Sequence, residues 1–518
     1  MTMKQKYEAL KSTMDRAVAL KRALALFEWD NETLAPEAAG EQTAKIIGSL
    51  SGEYYRILTD PKVEELAGEC AEAGERDMAG KRAEADQNTE AGGLGQAQRA
   101  CLKALQKEIR QLAPIPREEY EANARLTARA GAIWAEARRK NDFSMFAPVL
   151  KEVLGYQKRF ASLQARKGQK LYDVMLDQYE EGFDMESLDC FFEMLKKELV
   201  PFLQRVAQKG EQPDVSFLSG GYSLEGQEKL AKLAAEYLGF DFRRGVLAVS
   251  AHPFTTNLHN KDVRITTHYK ERMDSSLFSV IHETGHALYE MGIRDDLTLT
   301  MVGEGAGMGI HESQSRFFEN IIGRSQDFWT PLYPKVQDMF PERLKHVSLE
   351  QFVRAVNRAE PGFIRTEADE LSYSLHILVR YELEKALVEE DMPVELLPEK
   401  WAESYETYLG IRPKTDAEGV LQDIHWSQGS FGYFPSYALG SAFAAQIYEG
   451  MKRTMDVGGQ LRAGNLKAVT DYLRERIHQY GAMKNGRELL VQASGEDFDP
   501  RYYISYLKEK YGKLYDLR

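Results

Sequence analysis

Apolar residues recur at three- and four-residue spacing along most of this 518-residue chain. Such a repeat gives each segment one apolar stripe, which is typical of an amphipathic α-helix. Leu, Ala, Glu, Lys, Arg and Met, all good helix formers, dominate these segments. The pattern predicts a mainly helical protein, with helices over 4–28, 99–112, 117–138, 143–166, 185–208, 223–238, 275–291, 305–322, 366–390 and 436–455.

Strand signals are few. The clearest covers residues 262–269, which alternate in polarity and are rich in β-branched side chains. A second short strand is expected near 244–250. Residues 71–98 are polar, rich in Gly and Ala and without apolar periodicity, which indicates an exposed loop insertion between helices. We therefore expect a single domain over residues 1–518, with two lobes around a cleft and a minor short-stranded sheet.

Charge and cysteine content exclude several classes of partner and site. The net charge of −13 argues against nucleic-acid binding, which needs a basic face. No run of about 18 apolar residues predicts a membrane span, and the N-terminus lacks the features of a secretory signal, so we expect a cytoplasmic protein. Cys70, Cys101 and Cys190 lie far apart and form no CxxC pair, which argues against a disulfide framework or a cysteine-bound metal.

Residues 282–286 read HETGH within a stretch of helical character. His282 and His286 are four residues apart, about 400° of helical rotation, so both lie on one helix face one turn apart. Two imidazoles placed in this way can bind one zinc ion. Glu283 lies beside the metal position, where a carboxylate can take a proton from water. The motif is typical of zinc-dependent peptidases.

A catalytic zinc of this kind needs a third protein ligand and one open position. The glycine-rich turn at 303–309 leads into a second segment of helical character that contains Glu312, 26 positions after His286. A carboxylate there would complete a set of two histidines and one glutamate. No third histidine follows at the short spacing of the metzincins. Three alternative ligands remain open, namely Glu304, His311 and Glu319.

Six short signatures occur in order between residues 252 and 426, and with them the sequence resembles the M32 metallocarboxypeptidases, the thermostable carboxypeptidase Taq family. They are HPF at His252–Phe254, DxRxT at Asp262–Thr266, HExxH at His282–His286, HESQ at His311–Gln314, IRxxAD at Ile364–Asp369 and GxxQDxHW at Gly419–Trp426.

The resemblance implies a nearly all-helical, gluzincin-type fold with a deep active-site groove, often assembled as a homodimer. It implies removal of single residues from the C-terminus of peptides that have a free carboxylate. It also implies one Zn²⁺ per chain, with Co²⁺ able to substitute. By the motifs, His282, His286 and Glu312 are the metal ligands and Glu283 is the general base.

An exopeptidase of this kind must bind a free α-carboxylate, and arginine does so with two parallel hydrogen bonds. The resemblance favours Arg365 for this role, although a structural ion pair with Glu367 or Asp369 is an alternative. Arg264 is the second candidate, with pairing to Asp262 as its alternative.

Three more polar side chains are candidates for the substrate site. A tetrahedral intermediate needs a hydrogen-bond donor at its oxyanion, and His425 and Tyr437 are suited to this task. Tyr437 lies in a Phe- and Pro-rich segment, so core packing is its alternative interpretation. His252, which precedes a proline, is expected to shape the substrate pocket.

Two other functions are compatible with the residues alone. One is a related gluzincin endopeptidase or dipeptidase, which would share HExxH and a downstream glutamate. The other is a non-enzymatic helical scaffold in which HETGH is incidental. Hydrolysis of C-terminally amidated peptides separates the first from a carboxypeptidase, and metal content separates the second.

Overall fold

A computed structural model describes residues 1–70, 94–208 and 212–517 and confirms a mainly α fold with a minor sheet. The strands are β1 (Gly245–Val249), β2 (Thr255–His259) and β3 (Asp262–Thr267). The helices are α1 (Met3–Thr33), α2 (Gly40–Leu58), α3 (Gln96–Leu112), α4 (Arg117–Lys140), α5 (Ala147–Gln164), α6 (Leu171–Tyr179), α7 (Met185–Gln208), α8 (Leu224–Leu238), α9 (Met273–Gly292), α10 (Met308–Arg316), α11 (Gln326–Met339), α12 (Pro341–Leu344), α13 (Leu349–Val356), α14 (Glu370–Glu389), α15 (Leu397–Leu409), α16 (Pro435–Lys452), α17 (Val457–Arg462), α18 (Leu466–Arg476), α19 (Gly486–Ser494) and α20 (Arg501–Leu514).

Local capping chemistry sets many of the helix ends. The Ser223 hydroxyl accepts a hydrogen bond from the backbone N–H of Gly226 and begins α8, which ends at Gly239 in the left-handed conformation with φ 105°. Asp369 begins α14 by accepting hydrogen bonds from the backbone of Leu371 and Ser372. Among the residues described, no helix has the length and apolarity needed to cross a membrane.

The chain divides into two compact units. The first contains Met1–Pro114, Tyr222–Ala306 and Asn465–Leu489, and the second contains the rest of the described chain. The arrangement of two lobes around a cleft stays a prediction. Most of the expected loop at 71–98 lies outside the described residues, and its last three residues already belong to α3.

The sheet of the first unit has the strand order β1-β3-β2. β1 runs parallel to β3, with Gly245 opposite Val263, and β2 runs antiparallel to it, with Thr255 opposite Ile265. The two strands expected from sequence are β1 and β3. β2 was not predicted, because its sequence TTNLH is short and mostly polar and only its pairing with β3 defines it as a strand.

Helix α9 packs on this sheet. Val280, Ala287 and Met291 share a buried apolar cluster with Val263 and Ile265 of β3. Burial of this stripe fixes the rotation of α9 about its axis, since a helix can bury only one such stripe against a single sheet. The orientation of every other side chain on α9, including those of HETGH, follows from this packing.

Helix α14 is the central helix of the second unit. It contacts α7, α15 and α16, and residues on all of its faces are buried. Several of these buried residues are polar or charged, and such groups need hydrogen-bond partners inside the protein. The second unit therefore contains an internal polar network, which includes several of the residues singled out from sequence.

Candidate active site

His282 and His286 lie one turn apart on α9, with ring centroids 5.0 Å apart. One nitrogen of each ring lies within 4.8 Å of the other, and both side chains are half-buried. Neutral imidazoles on one helix face are the usual first two ligands of an HExxH zinc site. The two histidines predicted from sequence are thus close enough together that both could hold one metal ion.

Glu283 is buried, with 6% of its surface exposed. The hydroxyl of Thr255 lies 2.6 Å from its Oε2 and 3.1 Å from its backbone oxygen. Through this contact, a residue of β2 fixes the rotamer of the Glu283 side chain. Thr255 is a site residue that the sequence interpretation missed, and the signal that could have found it is its position directly after the HPF signature.

Glu312 is buried on α10 and is held by residues within one turn of it. Nε of Arg316 donates to its Oε1 at 2.7 Å, and the Ser315 hydroxyl lies 3.3 Å from Oε2. The close partner of α10 is α16, where Gly440 faces Glu312. A Cβ at Gly440 would lie 2.5 Å from Cγ of Glu312, so only a glycine leaves this side chain its room.

The alternative carboxylate ligands are engaged by cations. Glu304 accepts a hydrogen bond from Nζ of Lys21 at 2.7 Å. Glu319 forms ion pairs with Arg316 at 3.1 Å and with Arg324 at 3.3 Å. His311 is half-buried and directly precedes Glu312. Glu312 also has an arginine partner, so ion pairing does not by itself separate these candidates.

Arg365 is buried on a short 3₁₀ turn that precedes α14. Its carboxylate partner is Asp423, at 2.9 Å from Nε and 2.8 Å from Nη2, and not the nearby Glu367 or Asp369. Instead of the ion pair with Glu367 or Asp369 that was the alternative prediction, Arg365 forms one with a residue of the GxxQDxHW signature. Two signatures that are far apart in sequence meet through this ion pair.

Asp423 is shared by two arginines. Arg380 of α14 binds its other oxygen, with Nε at 2.7 Å and Nη2 at 2.6 Å. Burial alone would raise the pKa of Asp423, but the charges of Arg365 and Arg380 hold it well below its usual range. Two guanidinium groups around one carboxylate give this cluster of three residues one excess positive charge. Neither Arg380 nor the role of Asp423 was predicted from sequence.

His425 and Tyr437 lie beside this cluster. Nε2 of His425 is 3.1 Å from the Tyr437 hydroxyl, and the Arg365 guanidinium lies 4.8 Å from the centre of the Tyr437 ring. Burial lowers the pKa of His425 to about 4 and raises the pKa of Tyr437 well above its usual value. Near neutral pH this pair is therefore an uncharged imidazole and a protonated phenol.

The two remaining candidates belong to the first unit. Arg264 of β3 is paired with Asp262 through two contacts of 2.8 Å, and its guanidinium stacks 4.7 Å from the ring centre of Trp29. His252 is exposed in the loop between β1 and β2, where its backbone oxygen accepts a hydrogen bond from Ser250. Their roles in substrate binding stay predictions.

Comparison with known proteins identifies the family. A model of the carboxypeptidase Taq (M32) metallopeptidases matches residues 9–511. Carboxypeptidase 1 of Bacillus subtilis is 40% identical over 495 residues, which cover 95% of each chain. Thermostable carboxypeptidase 1 of Thermus thermophilus is 36% identical over 527 residues, which cover 99% of this chain and 100% of the relative.

Solved structures give the same result. The crystal structure of an M32 carboxypeptidase from Deinococcus radiodurans R1 matches with a TM-score of 0.91 at 31% identity. The match covers 99% of this chain and 100% of that one. The chain therefore belongs to the carboxypeptidase Taq (M32) family, and it is a metal-dependent carboxypeptidase.

Proposed function

We propose that His282, His286 and Glu312 bind one zinc ion per chain and that Glu283 is the general base. The observation that carries this proposal is the imidazole pair on α9. Two imidazoles and one glutamate carboxylate together form the donor set of a catalytic zinc site. The same donors accept Co²⁺, so metal availability decides which ion is bound. Zinc, when bound, supplies a Lewis acid that polarises the peptide carbonyl and makes water nucleophilic near neutral pH.

Glu283 has the geometry of a positioned base. The hydrogen bond from Thr255 holds the carboxylate in one orientation, from which it can accept the proton of the attacking water. The oxygen of that water forms a bond to the last peptide carbonyl, and the C–N bond then breaks. Glu283 passes the proton to the leaving amine, so the residue returns to its starting state.

Arg365 is the receptor that we propose for the free C-terminal carboxylate. The cluster of Arg365, Arg380 and Asp423 carries one excess positive charge, which an incoming carboxylate would balance. Arg264 and Asp262, in contrast, form a neutral one-to-one pair. Tyr437 is proposed as donor to the oxyanion, with His425 holding its hydroxyl. His252 is proposed to shape the substrate pocket.

Arg365→Ala is expected to raise KM for peptides with a free C-terminus by roughly 10- to 100-fold, because a hydrogen-bonded charge pair with the substrate is lost. kcat should change much less, since the reacting bond keeps its metal and base. Steady-state kinetics on one tripeptide measures both. Arg264→Ala, which also breaks an Arg–Asp pair, is the control. A larger KM increase in this control would transfer the carboxylate-binding role to Arg264.

Gly440→Ala is expected to lower metal affinity by about 10- to 100-fold, as other substitutions beside a metal ligand do. The added Cβ would displace Glu312, whereas Gly155→Ala in α5 places a Cβ in open space. Chelator competition measures the affinity of both variants, with Glu312→Ala as the reference for loss of a ligand. Stoichiometric, tight metal in Glu312→Ala would contradict its assignment.

We further propose a cytoplasmic homodimer that acts on peptides. All three thiols are free, and two of them are buried, as suits a reducing compartment. The dimer is proposed from the family resemblance alone. Sedimentation equilibrium of the metal-loaded enzyme, which gives the mass of the particle in solution, tests it.

A further inference from the structure

Tyr373 of α14 lies between two arginines and has no role in the site described above. Its side chain is 4% exposed. The guanidinium of Arg316 lies 4.0 Å from the centre of its ring, and Nη1 of Arg365 donates a hydrogen bond to its hydroxyl oxygen at 3.2 Å. One phenol thus contacts the arginine that holds Glu312 and the arginine that we assign to the substrate carboxylate.

We propose that Tyr373 is a positioning residue both for the arginine assigned to the substrate carboxylate and for the glutamate assigned to the metal. Its hydroxyl fixes the guanidinium of Arg365, and its ring fixes Arg316 and, through Arg316, the carboxylate of Glu312. The inference rests on the proposed roles of Arg365 and Glu312.

The contacts of Arg365 show what the hydroxyl does. A guanidinium has five N–H groups, and the described contacts use three of them, two toward Asp423 and one toward Tyr373. One N–H remains on each terminal nitrogen, which is the number that a carboxylate binds in a two-bond fork. The Tyr373 hydroxyl therefore helps to set the direction in which this fork points.

The contacts of Arg316 show what the ring does. Its Nε binds Glu312 and its Nη1 binds Glu319, so the ends of the guanidinium are held within its plane. The Tyr373 ring covers a face of the same group, where a cation–π contact contributes most when it is desolvated. Without the ring, the Arg316 guanidinium could move perpendicular to its own plane, and the Glu312 carboxylate bound to it would move as well.

The IRxxAD signature contains the local cause of this arrangement. Arg365 forms its 3₁₀ turn, and Asp369 then caps α14 through the backbone of Leu371 and Ser372. The cap fixes where the helix begins, and Tyr373 follows in its first turn. From this position the Tyr373 hydroxyl accepts the hydrogen bond from Arg365.

The test separates the hydroxyl from the ring. Tyr373→Phe keeps the ring and should raise KM for a free-acid peptide by about 3- to 10-fold, with kcat and metal affinity within twofold of wild type. Tyr373→Leu should raise KM at least as much and also lower metal affinity by about 10-fold, measured by chelator competition. The control is Tyr381→Phe, which removes a buried hydroxyl of the same helix that donates to Asp189 at 2.7 Å.

Unchanged KM in Tyr373→Phe, or unchanged metal affinity in Tyr373→Leu, would overturn the proposal. The same holds if the Tyr373 and Tyr381 variants lose only thermal stability and show the same kinetics. Arg365→Ala and Glu312→Ala are measured alongside. If these two variants keep normal KM and normal metal binding, the proposed function itself fails, whatever the Tyr373 variants show.

Discussion

Glu283→Gln is expected to lower kcat by about 10²- to 10⁴-fold while the enzyme keeps its metal. The amide has nearly the same shape as the carboxylate, but it cannot accept the proton of the attacking water. Because the proposed ligands are His282, His286 and Glu312, the metal content should stay stoichiometric. Turnover of a tripeptide and metal analysis of the same preparation check both parts.

Loss of the Thr255 contact should also lower kcat, by a smaller factor than loss of the base itself. Thr255→Val removes the hydroxyl 2.6 Å from the Glu283 carboxylate and should lower kcat by about 10- to 100-fold, the value of one hydrogen bond to a charged group. Thr256→Val changes the next residue of β2 and is the matched control. Near-normal turnover in Glu283→Gln would contradict the assignment of the base, and equal effects of the two threonine variants would contradict the role of Thr255.

Asp423→Asn is expected to destabilise the protein by roughly 3–5 kcal/mol, since it leaves the buried charges of Arg365 and Arg380 without their counter-charge. The side chains of these arginines are only 7% and 0% exposed, so water cannot replace the lost carboxylate. Urea unfolding, followed by helical circular dichroism, measures the change as a shift in midpoint.

The exposed pair of Lys467 and Asp471 is the control for this loss. Its side chains are 78% and 45% exposed, so Asp471→Asn should cost less than about 1 kcal/mol. An equally small effect of Asp423→Asn would show that the arginines are stabilised by other groups.

The pH dependence of the Asp423 contribution has a definite sign. Its folded-state pKa is depressed below the ordinary aspartate value of about 3.9, so the contribution is fully present above that pH and is lost as the pH falls further. The difference in unfolding free energy between wild type and Asp423→Asn should therefore shrink below about pH 4.

Local signals predicted ten helical segments, and each of them overlaps a helix of the structure, including α9 with its HETGH motif, whereas α2, α15 and α20 were not predicted. Apolar spacing depends only on neighbouring residues, and α9 carries both that spacing and the four-residue interval between His282 and His286. The strands β1 and β3 were found for the same reason, since each is a short run with many β-branched residues. Even the start of α14 has a local cause, the cap formed by Asp369.

Features that depend on distant residues could not be predicted in this way. Strand β2 is defined by its pairing with β3, and the partner of Arg365 is 58 positions away in the sequence. Thr255 reaches Glu283 across 28 positions. The position of Tyr373 between two arginines likewise becomes visible only when α10 and the 3₁₀ turn are packed against α14.

The most direct test of exopeptidase action at a free C-terminus is the product pattern of the metal-loaded enzyme on one peptide prepared both as the free acid and as the C-terminal amide. Mass spectrometry at successive times should show the free acid shortened by single residues from its C-terminus, while the amide stays intact. Chelation of the metal should stop the reaction, and added zinc should restore it. Internal cleavage, release of dipeptides or equal hydrolysis of the amide would contradict the removal of single residues from a free C-terminus.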